Sequence, residues 1–444
     1  MKIISQLYLT NRFFIAFAVV VVLFCVSFSI PSLFIVSQIT LVALVLIVVI
    51  DALLCFRLSL KINAQRKMSE YFSLGDENPV TITISNLSKT KMLLEIFDEL
   101  PEQFQERNMV LNLPVLKGGE SKEIIYKLRP ILRGKYHFGK INLFVNSPLR
   151  FSQYRTQQFN EETVKVYPSI IQMRKCELML SDKTAQGYGV KKLRKIGHSY
   201  EFEKIKNYVD GDDIRSINWK ATGRRDSIMV NQYEDEKSQS IYCVIDKSRS
   251  MMLPFDGLSL LDYSINTALA LSNMVIRKHD KAGLITFSNK PETMIKADSK
   301  GRQMGLILES LYQETENKLE ANYEQLFVTI NNSVKNRSLL FLFSNFESLH
   351  AVQRVLPLLR KINQRHLLVL MIFENTEIEN YSLHEAENMQ EMYLTTIAEK
   401  FIYDKYRILQ ELKTYGIQVV INKPNDLSVN AINKYIELKS RGLI

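Results

Sequence analysis

The sequence predicts a membrane-anchored multidomain protein: an α-helical transmembrane hairpin, then a β-sandwich, then an α/β domain. Three observations support this fold class. A charge-free apolar run extends from Phe13 to Ile50, residues 68–170 contain short strand-like runs separated by turns, and strands alternate with helices from Ser240 onward. A chain of 444 residues has room for about three folding units.

The composition excludes several classes of protein. The chain has 57 basic and 47 acidic residues, a formal net charge of +10, and 46% hydrophobic residues. These values are typical of a globular protein and exclude a disordered or collagen-like chain. Four cysteines in 444 residues also exclude a disulfide scaffold.

The apolar run predicts two membrane-spanning helices. As a single helix it would be about 57 Å long, nearly twice the ~30 Å hydrocarbon core of a bilayer. Pro31 fits the first turn of a new helix, so we predict spans at 12–29 and 33–56 within a hairpin of residues 1–58. A signal peptide is the alternative, but its apolar region is normally only about 7–15 residues long.

Basic residues flank the hairpin, and its connecting turn carries no charge. The positive-inside rule therefore predicts two spans in the inner (plasma) membrane, with both termini and the soluble domains in the cytoplasm. Cytoplasmic thiols such as Cys176 and Cys243 should be reduced, whereas Cys25 and Cys55 should lie in or at the bilayer. The basic residues after the second span either contact anionic lipid headgroups or serve topology alone. The six flanking basic residues are Lys2, Arg12, Arg57, Lys61, Arg66 and Lys67.

Residues 68–170 predict an antiparallel β-sandwich, because strand-like runs alternate with turn signals such as Lys117-Gly118-Gly119. No residue pattern in this segment indicates chemistry, so we interpret it as a spacer or contact module. The predicted strands include Pro79–Ile84, Met92–Phe97, Met109–Leu113, Glu123–Leu128, Tyr136–Val145 and Thr163–Tyr167.

Residues 240–444 predict a parallel sheet covered by helices on both faces. Ligands of such sheets bind beyond the carboxyl ends of the strands. The predicted strands are Ser240–Ile245, Lys281–Phe287, Ser338–Phe343, His366–Phe373 and Gly416–Ile421. The predicted helices are Ser259–Lys278, Arg302–Tyr312, Tyr323–Val334, Leu349–Lys361, Glu385–Thr414 and Ala431–Leu438.

The sequence gives little indication of catalysis. It contains no Walker A loop, GxSxG elbow, GxGxxG turn or CxxC pair, and its six histidines include no i,i+4 pair. We therefore expect no enzymatic activity, no catalytic residues and no organic cofactor.

One metal-type motif follows the first strand of the α/β domain. Asp246, Ser248 and Ser250 form an Asp-x-Ser-x-Ser pattern, whose oxygens can face one hard cation such as Mg²⁺. In the alternative reading, these side chains only bond to the loop and cap the next segment. The motif and its place resemble the metal-ion-dependent adhesion site of von Willebrand factor A domains, which implies a von Willebrand A-like (Rossmann-like) fold for residues 240–444.

That resemblance also implies a Thr and an Asp from two further loops. Here the matching positions are near Ala321, which has no hydroxyl, and at Asn345, which has no charge. We therefore expect weak binding of Mg²⁺ at most, with Asp246, Ser248, Ser250 and Asn345 as the ligands.

The connecting segment, residues 171–239, contains the chain's single Trp in a basic stretch. Residues 191–225 hold ten basic and five acidic residues. The interspersed carboxylates would repel phosphates, so we expect a charged surface that does not bind nucleic acid. We predict that Ile214, Ile217 and Trp219 bury against the α/β domain and that Arg215 bonds to a neighbouring carboxylate. The predicted partner-binding residues are Asp212, Asp213, Arg215, Trp219, Lys220, Arg224 and Arg225.

The same segment carries a family resemblance. Residues 201–225 read EFEKIKNYVDGDDIRSINWKATGRR, and MVNQYEDE and DKSRSM follow at 229–236 and 246–251. With LRGKYHFGKI at 132–141 and SPL at 147–149, the chain resembles a bacterial family of unknown function, number fifty-eight in the domain-of-unknown-function series. The resemblance implies a membrane-anchored accessory of MoxR-type AAA+ ATPases and of other von Willebrand A proteins, with no established catalysis.

Two functional readings follow. In the first, the protein is a non-enzymatic scaffold or adaptor that docks such an ATPase in a chaperone-like or complex-maturation role. In the second, it is a metal-dependent binding protein that holds a ligand or client at a degenerate adhesion site. Membrane lipids are the other expected partner.

Overall fold

The structure, a computed structural model, divides into two compact units, Met1–Tyr167 and Pro168–Ile444. It describes residues 6–30, 33–59, 61–105, 109–147, 149–159, 161–174, 201–210, 212–225, 227–234, 238–346, 348–383 and 388–443. Cys176, Lys2 and the predicted turn at Pro31 lie outside the described residues.

The first unit begins with two long apolar helices, α1 (Asn11–Ser29) and α2 (Leu33–Ser59). Both are long and apolar enough to cross a membrane, and few of their side chains are buried by protein. This arrangement agrees with an N-terminal membrane anchor. Helix α2 continues to Ser59, three residues beyond the predicted end of the second span.

A β-rich region completes the first unit. Its strands form a five-stranded sheet in the order β1-β10-β9-β5-β6 and two three-stranded sheets, β2-β4-β7 and β3-β11-β8. Apolar and polar residues alternate along β4, so that Val80, Ile82 and Ile84 are fully buried on one face of the strand. The strands are β1 Leu7–Leu9, β2 Ile62–Lys67, β3 Tyr71–Ser73, β4 Asn78–Asn86, β5 Met92–Asp98, β6 Val110–Leu116, β7 Ser121–Leu128, β8 Gly134–Phe138, β9 Ile141–Asn146, β10 Ser152–Gln158 and β11 Glu162–Tyr167.

Two details of this region differ from the prediction. The pair β3–β11 is parallel, so the region is not wholly antiparallel. The predicted strand Tyr136–Val145 is interrupted at Gly139 and Lys140 and becomes β8 and β9. Gly139 is required there because a Cβ atom would lie 2.6 Å from the Glu99 carboxylate.

One of the basic residues after the second span, Arg66, is not available to lipid headgroups. Its side chain is buried in the β-rich region and forms an ion pair with Asp98. The Tyr126 hydroxyl donates to the same carboxylate, and the guanidinium lies 5.0 Å from the centre of the Phe138 ring. A buried charge requires such a partner, so Arg66 holds the β-rich region together.

Helix α2 packs against β9 and β10, and Asp51 fixes the contact. Asp51 is fully buried, and its carboxylate accepts bonds from the Ser147 hydroxyl and from the backbone N–H groups of Phe151 and Ser152, at 3.1 and 3.2 Å. Residues of the predicted second span after Ile50 thus contact the protein's own β-rich region.

The second unit contains a six-stranded sheet in the order β18-β17-β14-β19-β20-β21. This is the doubly wound order 3-2-1-4-5-6, with β14 as the first strand. The other strands are short pairs, β12 with β13 and β15 with β16. The bounds are β12 Glu201–Asn207, β13 Met229–Glu234, β14 Ser240–Asp246, β15 Pro254–Phe255, β16 Leu258–Ser259, β17 Lys281–Phe287, β18 Pro291–Asp298, β19 Leu339–Phe343, β20 Leu367–Phe373 and β21 Gln418–Asn422.

Helices cover this sheet, and its central strands are almost wholly buried. The predicted strands and helices of this region are present with ends shifted by a few residues. The predicted Glu385–Thr414 helix is present from Met389, and its first three residues lie outside the described residues. The helices are α3 Trp219–Thr222, α4 Leu260–Arg277, α5 Gln303–Gln313, α6 Tyr323–Ser333, α7 Leu349–Arg365, α8 Thr376–Ser382, α9 Met389–Thr414 and α10 Leu427–Ser440.

The sheet is not wholly parallel, which corrects the prediction. Strand β18 runs antiparallel to β17 at one edge. An edge strand can turn back by a short hairpin because it needs no crossover helix. Its residues are mostly half-buried rather than apolar throughout, so it lacks the pattern typical of a central strand.

Candidate functional site

The Asp-x-Ser-x-Ser residues lie in a loop, Asp246–Ser250, that we call the DxSxS loop. It follows β14, which pairs in parallel with β17 and β19. In the doubly wound order, the crevice between the first and fourth strands is the position where ligands bind. The structure therefore places the predicted metal residues at the ligand end of the sheet.

Asp246 is buried and its carboxylate is already hydrogen-bonded on both oxygens. Oδ1 accepts from the Ser248 backbone N–H at 2.9 Å, and Oδ2 accepts from the Ser344 hydroxyl at 2.7 Å. The Tyr323 hydroxyl lies 3.5 Å from Oδ2. Burial raises the pKa of Asp246, and these hydrogen bonds oppose that shift only in part.

The structure brings Ser248, Ser250 and Asn345 together with Asp246. The two serine hydroxyls are 3.1 Å apart. Asn345 directs its amide nitrogen towards the backbone oxygen of Ser250, at 3.4 Å, while its amide oxygen accepts from the Lys405 ammonium at 3.0 Å. A lysine can only donate, so this contact fixes which end of the amide faces the loop.

The donor set does not fit a divalent cation. Asp246 is the one carboxylate of the predicted set, Ala321 has no hydroxyl, and Asn345 turns an N–H donor towards the loop. Mg²⁺ requires several oxygen ligands in near-octahedral positions. In the described part of the chain, no three His, Cys, Asp or Glu side chains lie close enough to share a metal ion.

A small cavity of about 150 Å³ opens above the DxSxS loop. Ala321 lines it without a hydroxyl, as the sequence predicts, and Tyr323, two residues later, supplies one instead. Arg249 and Arg354 also line the cavity. Sequence reasoning missed Tyr323 and Lys405, because no spacing links these residues to the motif. It located Ser344 beside Asn345 but gave it no role.

A buried ion cluster lies beside the loop. The Lys247 ammonium contacts the carboxylates of Glu314 and Glu292, and the hydroxyls of Thr286 and Thr293 donate to Glu314 at 2.9 and 2.7 Å. Burial raises the pKa of Glu292, but hydrogen bonds from Lys247 and other neighbours outweigh it and hold that pKa below the usual value. The side chain of Lys247, the residue after Asp246, is therefore held in place by its two carboxylate partners.

The second candidate site is the segment between β12 and β13, residues 208–228, which we call the Trp219 loop. Asn218 caps α3 by accepting from the Ala221 N–H at 3.0 Å, and it also donates to Asn231 at 2.8 Å. The Thr222 hydroxyl accepts from the Met229 N–H at 3.0 Å. These bonds give the loop a defined fold.

The two predicted carboxylates of this loop have structural partners. Asp212 accepts from the Lys206 ammonium at 2.8 Å and from the Val209 N–H at 3.1 Å, and the bond from Lys206 lowers its pKa. Asp213 caps a 3₁₀ turn by accepting from the Arg215 backbone N–H. The prediction that the Arg215 guanidinium reaches these carboxylates is wrong within the described part of the chain.

Trp219 is exposed, contrary to the predicted burial. Its side chain is 72% exposed and Ile214 is 70% exposed, while Ile217 is half-buried. The apolar residues that anchor the loop are instead Met229 and Val230 on β13. Lys220, Arg215, Arg224 and Arg225 are also exposed. The structure therefore brings an exposed aromatic side chain and four cations together in one ordered loop.

One comparison with known proteins matches this part of the chain directly. The family described as "Protein of unknown function DUF58" matches residues 204–407, which include both candidate sites. The "Uncharacterized protein YeaD" of Bacillus subtilis (strain 168) is 26% identical over 198 residues, which cover 42% of this chain. The chain spans about half of that relative's length, since the match covers 48% of it.

Solved structures add little to this comparison. A conserved hypothetical protein, BatB from Bacteroides thetaiotaomicron, is 13% identical, with 46% of this chain and 99% of that chain covered at a TM-score of 0.27. The CARDB domain of PF1109 from Pyrococcus furiosus is 12% identical, with 24% and 94% covered at a TM-score of 0.16. Both TM-scores are too low to establish a shared fold. The family match and the Bacillus relative are thus similarities that each cover less than half of this chain.

Proposed function

We propose that the protein is a non-enzymatic, membrane-anchored scaffold or adaptor whose Trp219 loop docks a MoxR-type AAA+ ATPase. The partner class comes from the family resemblance carried by residues 201–225 and 246–251. The scaffold acts in a chaperone-like or complex-maturation role and also meets other von Willebrand A proteins.

The exposure of Trp219 is the observation that supports this proposal most directly. Exposed Trp and Arg side chains are enriched among the residues that dominate binding energy at protein interfaces. Ile214 and Val209, 70% and 62% exposed, extend the apolar part, and the cations of the loop form its rim. Such a surface fits a partner with an apolar pocket and acidic residues around it.

The sheet order supports a von Willebrand A-like fold for residues 240–444. Five parallel strands and one antiparallel edge strand take the doubly wound order, and the DxSxS loop follows the first strand. We therefore propose the von Willebrand A-like fold for residues 240–444. The hairpin then holds the domain at the inner face of the membrane, as the flanking basic residues predict.

The alternative function is metal-dependent binding of a ligand or client at Asp246, Ser248, Ser250 and Asn345. The position of these residues at the ligand end of the sheet favours it. The orientation of Asn345 and the missing hydroxyl at Ala321 oppose it. The two functions differ in their requirement for a divalent cation.

Capture of a purified MoxR-type AAA+ ATPase by the full chain in detergent tests the proposal. Trp219→Ala should weaken capture at least about tenfold, because an interface hot spot contributes ~2 kcal/mol or more. Its thermal midpoint should stay close to wild type, because the side chain is already exposed. Leu306→Ala, at a site 57% exposed on α5, is the control and should capture normally.

Further variants test whether capture of the ATPase depends on the cations of the Trp219 loop and on a divalent metal ion. Arg224→Ala with Arg225→Ala should weaken capture and reduce its salt dependence, whereas Lys335→Ala with Arg337→Ala, an exposed pair elsewhere, should not. Normal capture by Trp219→Ala would exclude the Trp219 loop as the docking surface. Loss of capture in EDTA would favour the metal-dependent alternative.

A further inference from the structure

Lys405 lies on α9, far along the chain from the DxSxS loop, yet its ammonium group reaches the same end of the sheet. It donates to the Asn345 amide oxygen at 3.0 Å and also to the backbone carbonyl of Phe373, at the end of β20. Lys405 lines a second cavity, of about 640 Å³, which Asn345 also borders. Lys405 lines this second cavity and is not among the residues that line the small cavity.

These contacts determine what Asn345 presents to the loop. With its oxygen held by Lys405, the amide nitrogen faces the Ser250 carbonyl. To bind a metal ion, Asn345 would have to present its amide oxygen to the loop. The hydrogen bond from the Lys405 ammonium to that oxygen would then have to break. The Lys405 ammonium lies 3.0 Å from the Asn345 oxygen, and a cation bound to that oxygen would meet a like charge, whose repulsion is stronger in the protein interior than in water.

We infer that Lys405 is a built-in cation that orients Asn345 and closes the DxSxS loop to divalent metal ions. The lysine takes over the charge that a bound ion would supply at this end of the sheet. Any ligand that meets the loop then binds without a metal bridge. This inference does not depend on the proposed docking of an ATPase, because its test measures metal binding and not partner capture.

The inference makes a specific claim about Asn345→Asp. A carboxylate at this position would pair with Lys405 at once, so restoring the acidic residue alone should not create a magnesium site. Removing the ammonium in the same chain should free both carboxylate oxygens. Asn345→Asp with Lys405→Gln should therefore bind Mg²⁺ at least about tenfold more tightly than Asn345→Asp alone.

Calorimetric titration of MgCl₂ into the full chain in detergent, with thermal melts in Mg²⁺ and in EDTA, measures this difference. Gln at 405 retains a donor for the Phe373 carbonyl, which protects the fold. The matched control is Asn345→Asp with Lys400→Gln, which removes an exposed lysine of the same helix and should behave like Asn345→Asp alone. The melts in EDTA show that each variant is folded before titration.

Saturable Mg²⁺ binding by the wild-type chain, or equal binding by Asn345→Asp with and without Lys405, would overturn the inference. So would a folded double variant that binds no Mg²⁺, because the missing hydroxyl at Ala321 would then be the reason for exclusion. Binding that appears only when Lys405 is replaced supports the assignment.

Discussion

Lys247 shows how a single buried charge holds the DxSxS loop in place. Its side chain is only 3% exposed, and it is the residue directly after Asp246. Its backbone is fixed as well, because its N–H donates to the Phe287 carbonyl at 2.8 Å and its carbonyl accepts from the Asn317 N–H at 3.0 Å. The alternating pattern of the loop thus sends Asp246 and Ser248 to one side and Lys247 to the other.

Lys247→Met should destabilise the second unit by ~3–5 kcal/mol, because Glu314 would remain buried without its cation. The thermal midpoint of the full chain should fall by roughly 6 °C or more. Adding Glu314→Gln should restore part of the loss, because it removes the uncompensated charge. A Lys247→Met chain that melts like wild type would show that the ion cluster contributes no net stability.

Site residues that are neighbours in sequence could be predicted, whereas those that reach the site through tertiary contacts could not. Asp246, Ser248 and Ser250 were predictable because a short motif and a strand end are both local in sequence. Lys405 and Tyr323 reach the site through helices that pack across the sheet, so their roles depend on tertiary contacts. Trp219 was predicted to bury because it is large and apolar, but its short helix is stabilised by Asn218 and Thr222 and needs no apolar cover.

Helix α2 has two different environments along its length. From Leu33 to Ile50 its sequence is uncharged, as a lipid-facing helix requires. From Asp51 onward it meets β9 and β10 and carries a buried carboxylate, a buried thiol at Cys55 and a buried hydroxyl at Ser59. The helix therefore links the membrane anchor rigidly to the β-rich region.

Asp51→Ala should weaken the contact between α2 and the β-rich region without changing the lipid-facing part of the helix. It would leave the Ser147 hydroxyl and the N–H groups of Phe151 and Ser152 without their acceptor, at ~1–3 kcal/mol for each buried group. We expect a lower thermal midpoint of the first unit, measured on the full chain in detergent. Thr40→Ala is the control, because that hydroxyl donates to the Val36 carbonyl of its own helix; equal midpoints for the two variants would contradict the link.

The secondary structure of the α/β region was predictable for the central strands and less so at the edges. Buried parallel strands such as Leu339–Phe343 and Leu367–Phe373 are continuous apolar runs, which the sequence displays directly. Strand β18 was missed because an edge strand is half-exposed and reads as mixed polarity. In the first unit, β2 was missed because one of its three buried positions is the charged Arg66, which breaks the apolar alternation.

At the scale of the whole molecule, charge and apolarity are distributed very unevenly along the chain. The longest charge-free run lies in α1 and α2, while the predicted partner-binding cations lie in the Trp219 loop, more than 150 residues later. The anchor and the cationic, aromatic surface thus belong to different units of the chain. Lysine and arginine in the loop would also be drawn to acidic partners at long range.

The orientation of the anchor decides which partners the docking surface can meet. Arg12 lies in the first turn of α1, and Arg57 and Lys61 follow the apolar part of α2, so the positive-inside rule predicts both termini in the cytoplasm. A reporter enzyme fused after Ile444 should be active only in its cytoplasm-dependent form, and a periplasm-dependent reporter only when inserted between α1 and α2. Activity of the periplasm-dependent reporter after Ile444 would reverse the orientation, and a cytoplasmic ATPase could then not reach the Trp219 loop.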